Sequence, residues 1–213
     1  MIVADLMTTN PVSVGPSTTL QAAQEVMQHG RFRQLPVVDN GSLIGVVTDR
    51  DLRQYLGQLN RVRVDAVMST HLFSVQPSTP VEQAAQMLVT KKVGSLPVLD
   101  NGKLVGIITA SDLLQALVAI LGKIGDGSVR IDLNVAGSGE ITAAISLIRT
   151  FCPVLAMGTY SRTATAGESA VLYLRIAATG AQRAAQTLRD YGFKVLAVHV
   201  ESELSSKAHE IKQ

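Results

Sequence analysis

The sequence predicts an α+β protein: two β-α-β-β-α repeats packed as a pseudo-twofold pair, then a separate β-α-β-β-α-β unit. Three observations predict it. Residues 3–56 realign without a gap 61 positions further on, so that Met7 falls on Met68, Leu35-Pro36-Val37 on Leu96-Pro97-Val98, Asp39-Asn40-Gly41 on Asp100-Asn101-Gly102, and Asp51-Leu52 on Asp112-Leu113. A unit of about sixty residues makes a marginal core alone, so the two copies are expected to share a buried face. The stretch Gly122-Lys123-Ile124-Gly125-Asp126-Gly127-Ser128 then interrupts the pattern with three glycines, and beyond it the repeat stops.

Each repeat reads the same way. An extended segment comes first, Pro11 to Val14 or Leu72 to Val75. Pro16-Ser17-Thr18 and Pro77-Ser78-Thr79 supply a turn and a helix cap. The helix of the first copy carries Leu20, Ala23 and Met27 on one face and Gly30 at its end; the second carries Val81, Ala84 and Leu88. A hairpin follows, with Asp39-Asn40-Gly41 between Leu35–Val38 and Leu43–Val47, because an Asn-Gly pair between apolar runs favours a tight turn. A second helix starts near Asp49 with Leu52, Tyr55, Leu56 and Leu59; its counterpart runs from Ser111 to about Leu121.

Past the glycines, Val129, Ile131, Leu133 and Val135 alternate as a half-buried strand does. Ile141, Ala144, Ile145 and Ile148 follow helical spacing; Val154–Ser161 and Ala170–Ala177 read as strands joined by the turn Thr163 to Gly167. Ala181, Ala184, Ala185 and Leu188 form a second helical stripe ended by Gly192, and Val195–Val200 is the last strand. This order is the ferredoxin-like plan. The expected organisation is thus 1–60 and 61–121 for the repeats, 122–128 for the linker, 129–201 for the last unit and 202–213 for a polar tail.

Composition narrows the function. The chain is 46% hydrophobic and 17% charged, which suits a folded core. A net charge of +2, no basic run beyond Lys91-Lys92 and no tryptophan leave no footprint for nucleic acid. The longest apolar run, Leu113 to Ile124, is too short to cross a bilayer, and no signal peptide is evident at Met1. One cysteine, Cys152, excludes an internal disulfide, so a cytoplasmic location is expected. The histidines His29, His71, His199 and His209 show no metal-ligand spacing with each other or with Cys152, and no metal is expected. Cys152 stands beside Pro153 without a nearby His or Asp and reads as a packed thiol. No catalytic constellation stands out, and an enzyme is not expected.

The chemistry-bearing pattern closes each hairpin: Gly45-Val46-Val47-Thr48-Asp49-Arg50-Asp51 and Gly106-Ile107-Ile108-Thr109-Ala110-Ser111-Asp112. Two readings fit. Thr-x-x-Asp before an apolar helix can be a capping box that satisfies orphan N–H groups and binds nothing. Alternatively, the helix start and Thr hydroxyl suit a phosphate, and a carboxylate one turn on can accept both hydroxyls of a ribose.

These motifs, each preceded by Leu-Pro-Val-x-Asp-Asn-Gly, resemble the cystathionine β-synthase (CBS) domain pair, or Bateman module, over about residues 1–121. The resemblance implies a regulatory sensor of AMP, ADP, ATP or S-adenosylmethionine, with no further cofactor. It implies that Asp51 and Asp112 hold ribose, that Thr48 and Thr109 touch phosphate, and that Thr9 to Val12 and Thr70 to Phe73 line the base. Residues 129–200 resemble an ACT domain, whose effector loop would be Gly137-Ser138-Gly139; it lacks the Pro-Gly common in amino-acid-binding members. The combined order is similar to that of bacterial acetoin-utilisation accessory proteins.

The copies differ in charge. Arg31, Arg33 and Arg50 lie near the first motif; the second has Lys91 and Lys92 nearby, but Gly94 and Ser111 in place of Arg33 and Arg50. Guanidinium forks suit phosphate, so the Thr48/Asp51 cleft is expected to take the phosphorylated ligand. The expected function is a homodimeric adenosine-nucleotide sensor that transmits occupancy to the last unit or to a regulated protein. The alternative is a structural dimerisation module with empty clefts.

Overall fold

The structure, a computed structural model, describes residues 1–122, 127–161 and 170–200. It divides into a unit Met1–Gln115 and a second from Ala116 onward. In chain order the elements are β1 (Thr8–Thr9), α1 (Leu20–Gly30), β2 (Gln34–Asp39), β3 (Ser42–Thr48), α2 (Asp49–Arg53), α3 (Val81–Lys91), β4 (Ser95–Asp100), β5 (Lys103–Thr109), α4 (Ala110–Leu121), β6 (Ser128–Val135), α5 (Ser138–Arg149), β7 (Val154–Ser161), β8 (Ala170–Ala177), α6 (Ala181–Asp190) and β9 (Lys194–Val200). Short 3-10 turns occupy Val3–Asp5 and Val64–Ala66.

The hairpins form where the Asn-Gly pairs predict them. Asn40 and Gly41 adopt φ of 47° and 81°, and Asn101 and Gly102 adopt 48° and 79°. Positive φ at both central positions is what a two-residue I′ turn requires. The hairpins β2–β3 and β4–β5 meet where Ser42 pairs with Lys103, so that five strands make one sheet.

The duplication is visible in the packing, and the lead-in of each copy is exchanged. Thr8 and Thr9 pair with Ile107 and Gly106; 61 residues on, Ser69 pairs with Val46. Val3 N–H donates to Thr79 C=O and Val64 N–H to Thr18 C=O, both at 2.8 Å. Val3 is therefore buried with Ala84, Leu88, Leu96, Val98 and Ile108 of the second copy. Val64 is buried with Leu20, Ala23, Met27, Leu35, Val37 and Val47 of the first. Sequence repeat and packing unit are offset by this swap.

Several local expectations are corrected. Pro11–Val14 and Leu72–Val75 are not strands; each contributes one parallel bridge, Val14 to Val37 and Val75 to Val98. The cap of α1 is Thr19 rather than Thr18: its Oγ1 accepts the Ala22 N–H at 3.2 Å, while Pro80 caps α3 with no side-chain bond. Thr19→Ala is expected to cost about 1 kcal/mol, read as a lower urea midpoint at unchanged m-value. Gly30 does not supply the left-handed terminus, which falls on Arg31 at φ 54°; Gly30 instead gives way to the Phe32 ring, which a Cβ would strike. The second helix of the first copy is shorter than Tyr55, Leu56 and Leu59 suggest. α2 ends at Arg53, and Gly57 at φ 92° turns the chain away.

In the second unit the sheet runs β7-β8-β6-β9, antiparallel throughout. Ile131, Leu133, Leu174 and Ile176 form its core with Ala144 and Ile148 of α5 and Ala184 and Leu188 of α6. The element order is the β-α-β-β-α-β expected. Gly122 at φ 85° ends α4, and Arg175 Nε donates to the Leu121 carbonyl at 3.1 Å. The middle of the proposed linker, the turn Thr163 to Gly167 and the 202–213 tail lie outside the described residues.

Candidate functional site

Both Thr-x-x-Asp motifs form a complete capping box. Asp51 Oδ2 accepts the Thr48 N–H at 2.8 Å and the Thr48 Oγ1–H at 2.7 Å, and Asp51 N–H points back to Thr48 Oγ1 at 3.4 Å. The second copy repeats this with Asp112 and Thr109 at 2.8, 2.8 and 3.3 Å. One carboxylate oxygen serves the cap in each case. The other, Oδ1, takes no hydrogen bond among the described residues, and both aspartates are only half-buried.

The strands aim the threonines. Leu35, Val37 and Val47 fill the core under α1, so Thr48, two-residue periodic with Val46, faces the other side of the sheet. Directly across the hairpin from Thr48 lies Gln34, and across from Thr109 lies Ser95. Directly opposed side chains share a face at about 5 Å between Cβ atoms. Gln34 and Ser95 are thus neighbours of the two motifs that the sequence reading did not single out.

The other expected residues are placed unequally. Asp49 N–H donates to the Arg33 carbonyl at 2.9 Å, which ties Arg33 to the first turn of α2 that carries Arg50. Ala110 N–H bonds the Gly94 carbonyl at 3.2 Å in the same way, beside Ser111. Arg31 is the left-handed residue that closes α1. Among the described residues none of these three arginines forms an ion pair, whereas Arg53 holds Asp49 at 2.7 Å. Thr9 lies on β1 against Gly106, and Thr70 follows Ser69 against Val46. From there the chain reaches Val14 and Val75, whose parallel bridges to Val37 and Val98 send the preceding residues, exposed Val12 and half-buried Phe73 among them, past the Gln34 and Ser95 ends of β2 and β4. These are the strand ends that carry the motifs. Lys91 Nζ sits 4.8 Å from the Phe73 ring centroid, a cation–π contact.

In the second unit Gly137, Ser138 and Gly139 open α5 and are exposed; Glu140 Oε2 accepts the Ala136 N–H at 2.8 Å. A Cβ at Gly137 or Gly139 would meet nothing within 4 Å, so packing does not demand glycine there. Cys152 is buried, and burial pushes its thiol up in pKa, against a nucleophilic role. An ion pair missed from sequence is Arg130–Asp132, at 2.6 and 3.2 Å, with His199 Nε2 at 3.5 Å from the same carboxylate. The hydrogen bond to Asp132 holds the Arg130 pKa above its ordinary value. The pair is i, i+2 on one strand face, a period-2 signal. Among the described residues no group of three His, Cys, Asp or Glu side chains could hold a metal, and no helix is long and apolar enough to cross a membrane.

Comparison with known proteins converges on the first unit. The CBS domain family model matches residues 3–58 and again 64–119. A CBS domain-containing protein of Dictyostelium discoideum is 35% identical over 136 residues, covering 57% of this chain and 94% of that protein. The structure of CBSX2, a CBS-pair protein of Arabidopsis thaliana, in complex with AMP is 34% identical at a TM-score of 0.51, covering 56% of this chain and 97% of that one. A Vibrio cholerae protein assigned to acetoin utilization (AcuB) is 33% identical at a TM-score of 0.53, covering 57% of this chain and 93% of that one.

Proposed function

Because the chain belongs to the CBS-domain family and carries two copies of the domain, we propose that it is a non-catalytic regulatory protein that binds adenosine nucleotides beside Thr48/Asp51 and Thr109/Asp112. The observation that carries this reading is the duplicated box with an unspent Oδ1 on each aspartate. Ribose hydroxyls would donate to that oxygen, and the Thr hydroxyl would turn from carboxylate to phosphate. Arg33 and Arg50 would supply guanidinium donors in the first cleft. A relative 34% identical that was solved with AMP supports the ligand class.

Occupancy would act by population shift, to the extent that a ligand prefers one packing of the repeats. The readout would be the last unit, read as an ACT domain with Gly137-Ser138-Gly139 as effector loop, or a regulated partner. A homodimer fits the exposed Leu114, Leu117, Val118 and Ile120 of α4, and a cytoplasmic setting fits the single cysteine. The second reading, a structural dimerisation module, is favoured by one observation: the boxes are internally satisfied without a ligand.

A thermal melt with AMP decides between them. At about 100 times its dissociation constant a ligand stabilises by about 2.7 kcal/mol. At about 4 °C per kcal/mol for a unit of this size, the transition of the first unit is expected to rise by about 11 °C. Melts unmoved by AMP, ADP, ATP and S-adenosylmethionine leave the structural module standing.

A further inference from the structure

We propose that the two clefts are graded in size and charge: the first takes adenosine with a short anionic 5′ group, the second an adenosine compound with a longer, non-anionic 5′ substituent. This rests on the nucleotide reading above. Three positions surround each capping box, and all three change in one direction. The residue whose carbonyl receives the first helical N–H is Arg33 in one copy and Gly94 in the other. The residue across the hairpin from the threonine is Gln34 or Ser95. The second residue of the helix is Arg50 or Ser111. Long side chains stand at every position of the first copy, short ones at every position of the second.

The space left in the second copy is not refilled. A Cβ built on Gly94 meets nothing within 4 Å, and Ser111 is exposed. Ser95 is only 7% exposed, so its hydroxyl forms part of the wall rather than a protruding arm. Charge follows the same division. Arg33 and Arg50 have no acidic partner among the described residues, so both guanidiniums can face an anion. At the matching places the second cleft offers no cation, and Lys91 lies on the Phe73 ring. A 5′ sulfonium, repelled by two guanidiniums in the first cleft, meets a glycine and two serines in the second.

The probes are AMP and S-adenosylmethionine, titrated by calorimetry into the full chain and into the double variant Gly94→Arg/Ser111→Arg. In the unaltered protein the two ligands are expected to bind together, each leaving the affinity of the other within twofold, because they occupy different clefts. The double variant is expected to gain a second AMP site and to lose S-adenosylmethionine affinity by about tenfold or more, about 1.4 kcal/mol. The open surroundings of both positions predict an unchanged melt. Should the graft misfold, the reverse variant Arg33→Gly/Gln34→Ser/Arg50→Ser serves, and is expected to admit S-adenosylmethionine to the first cleft. Competition of the two ligands for one cleft, or graft and reverse variants that leave their selectivity unmoved, overturns the grading alone. Failure of both ligands to bind the unaltered protein overturns the nucleotide reading and the grading with it.

Discussion

Asp51→Asn is expected to weaken AMP binding by about 10- to 100-fold while leaving the melt of the first unit close to that of the unaltered protein. The two effects separate because the carboxylate has two oxygens with different work. Oδ2 accepts from the Thr48 N–H and hydroxyl at 2.8 and 2.7 Å. An asparagine carbonyl oxygen can keep that place. Its amide nitrogen then stands where Oδ1 stood, a donor facing ribose hydroxyls that need an acceptor. A hydrogen bond to a charged group contributes about 1.5–3 kcal/mol, and each decade of affinity is about 1.4 kcal/mol. Asp51→Ala loses both oxygens, so it adds the cost of the cap, about 0.5–2 kcal/mol. Asp112→Asn leaves the AMP titration unchanged and weakens the second cleft instead. Calorimetric titration of AMP into all three variants measures this. Unaltered AMP affinity in both Asp51 variants would return the motif to a pure cap.

Much of this fold is legible in the sequence because local rules decide it. The Asn-Gly turns, the helical stripes and the 61-residue offset are each written in neighbouring residues. What escapes is set by tertiary packing. Val3 and Val64 look like any apolar residue near a domain start, and nothing local says that each is buried in the opposite copy. The helix expected through Leu59 stops at Arg53, and Gly57 at φ 92° keeps the chain from resuming it. Gln34 and Ser95 were hidden by a bulge. Counting back from Asp39 opposite Ser42 puts Arg33, not Gln34, across from Thr48. The register shifts between Val37 and Val38, and in the second copy between Val98 and Leu99, so one extra residue is absorbed. That shift moves Gln34 and Ser95 onto the site face. The box itself was legible as a motif, but its closed hydrogen bonding emerges only in three dimensions.

The exchange of lead-ins makes a second prediction that no local rule suggests: Gly106→Ala, a change in the second repeat, is expected to damage the first cleft. A Cβ at Gly106 would lie 2.5 Å from Met7 Sδ, 3.1 Å from Met7 Cγ and 3.1 Å from the Thr8 carbonyl oxygen. The thioether can swing aside, but the carbonyl belongs to β1 and moves only with the Thr8–Ile107 and Thr9–Gly106 pairing. Overpacking of this kind costs about 1–3 kcal/mol, against a gain of about 0.5–1 kcal/mol for replacing glycine in a strand. The net loss falls on the segment that continues through Thr9 to Val12 into the first cleft, so AMP affinity drops along with the melt. Gly45→Ala is the control. Its three nearest neighbours belong to the Met68 side chain, whose Sδ and Cγ can swing aside and leave the Cβ at 3.2 Å, so the loss is smaller and falls on the second cleft. Adding Met68→Ala to Gly45→Ala is expected to remove the two closest approaches, 2.4 Å to Sδ and 2.9 Å to Cγ, and to leave only the Met68 Cβ at 3.2 Å. Adding Met7→Ala to Gly106→Ala removes only part of it, because the Thr8 carbonyl stays. Double-mutant cycles on melting temperature read both couplings, and AMP affinity reads the Gly106/Met7 one. Strict additivity in the two cycles, or an intact first cleft in Gly106→Ala, would show that the exchanged lead-ins do not position the site.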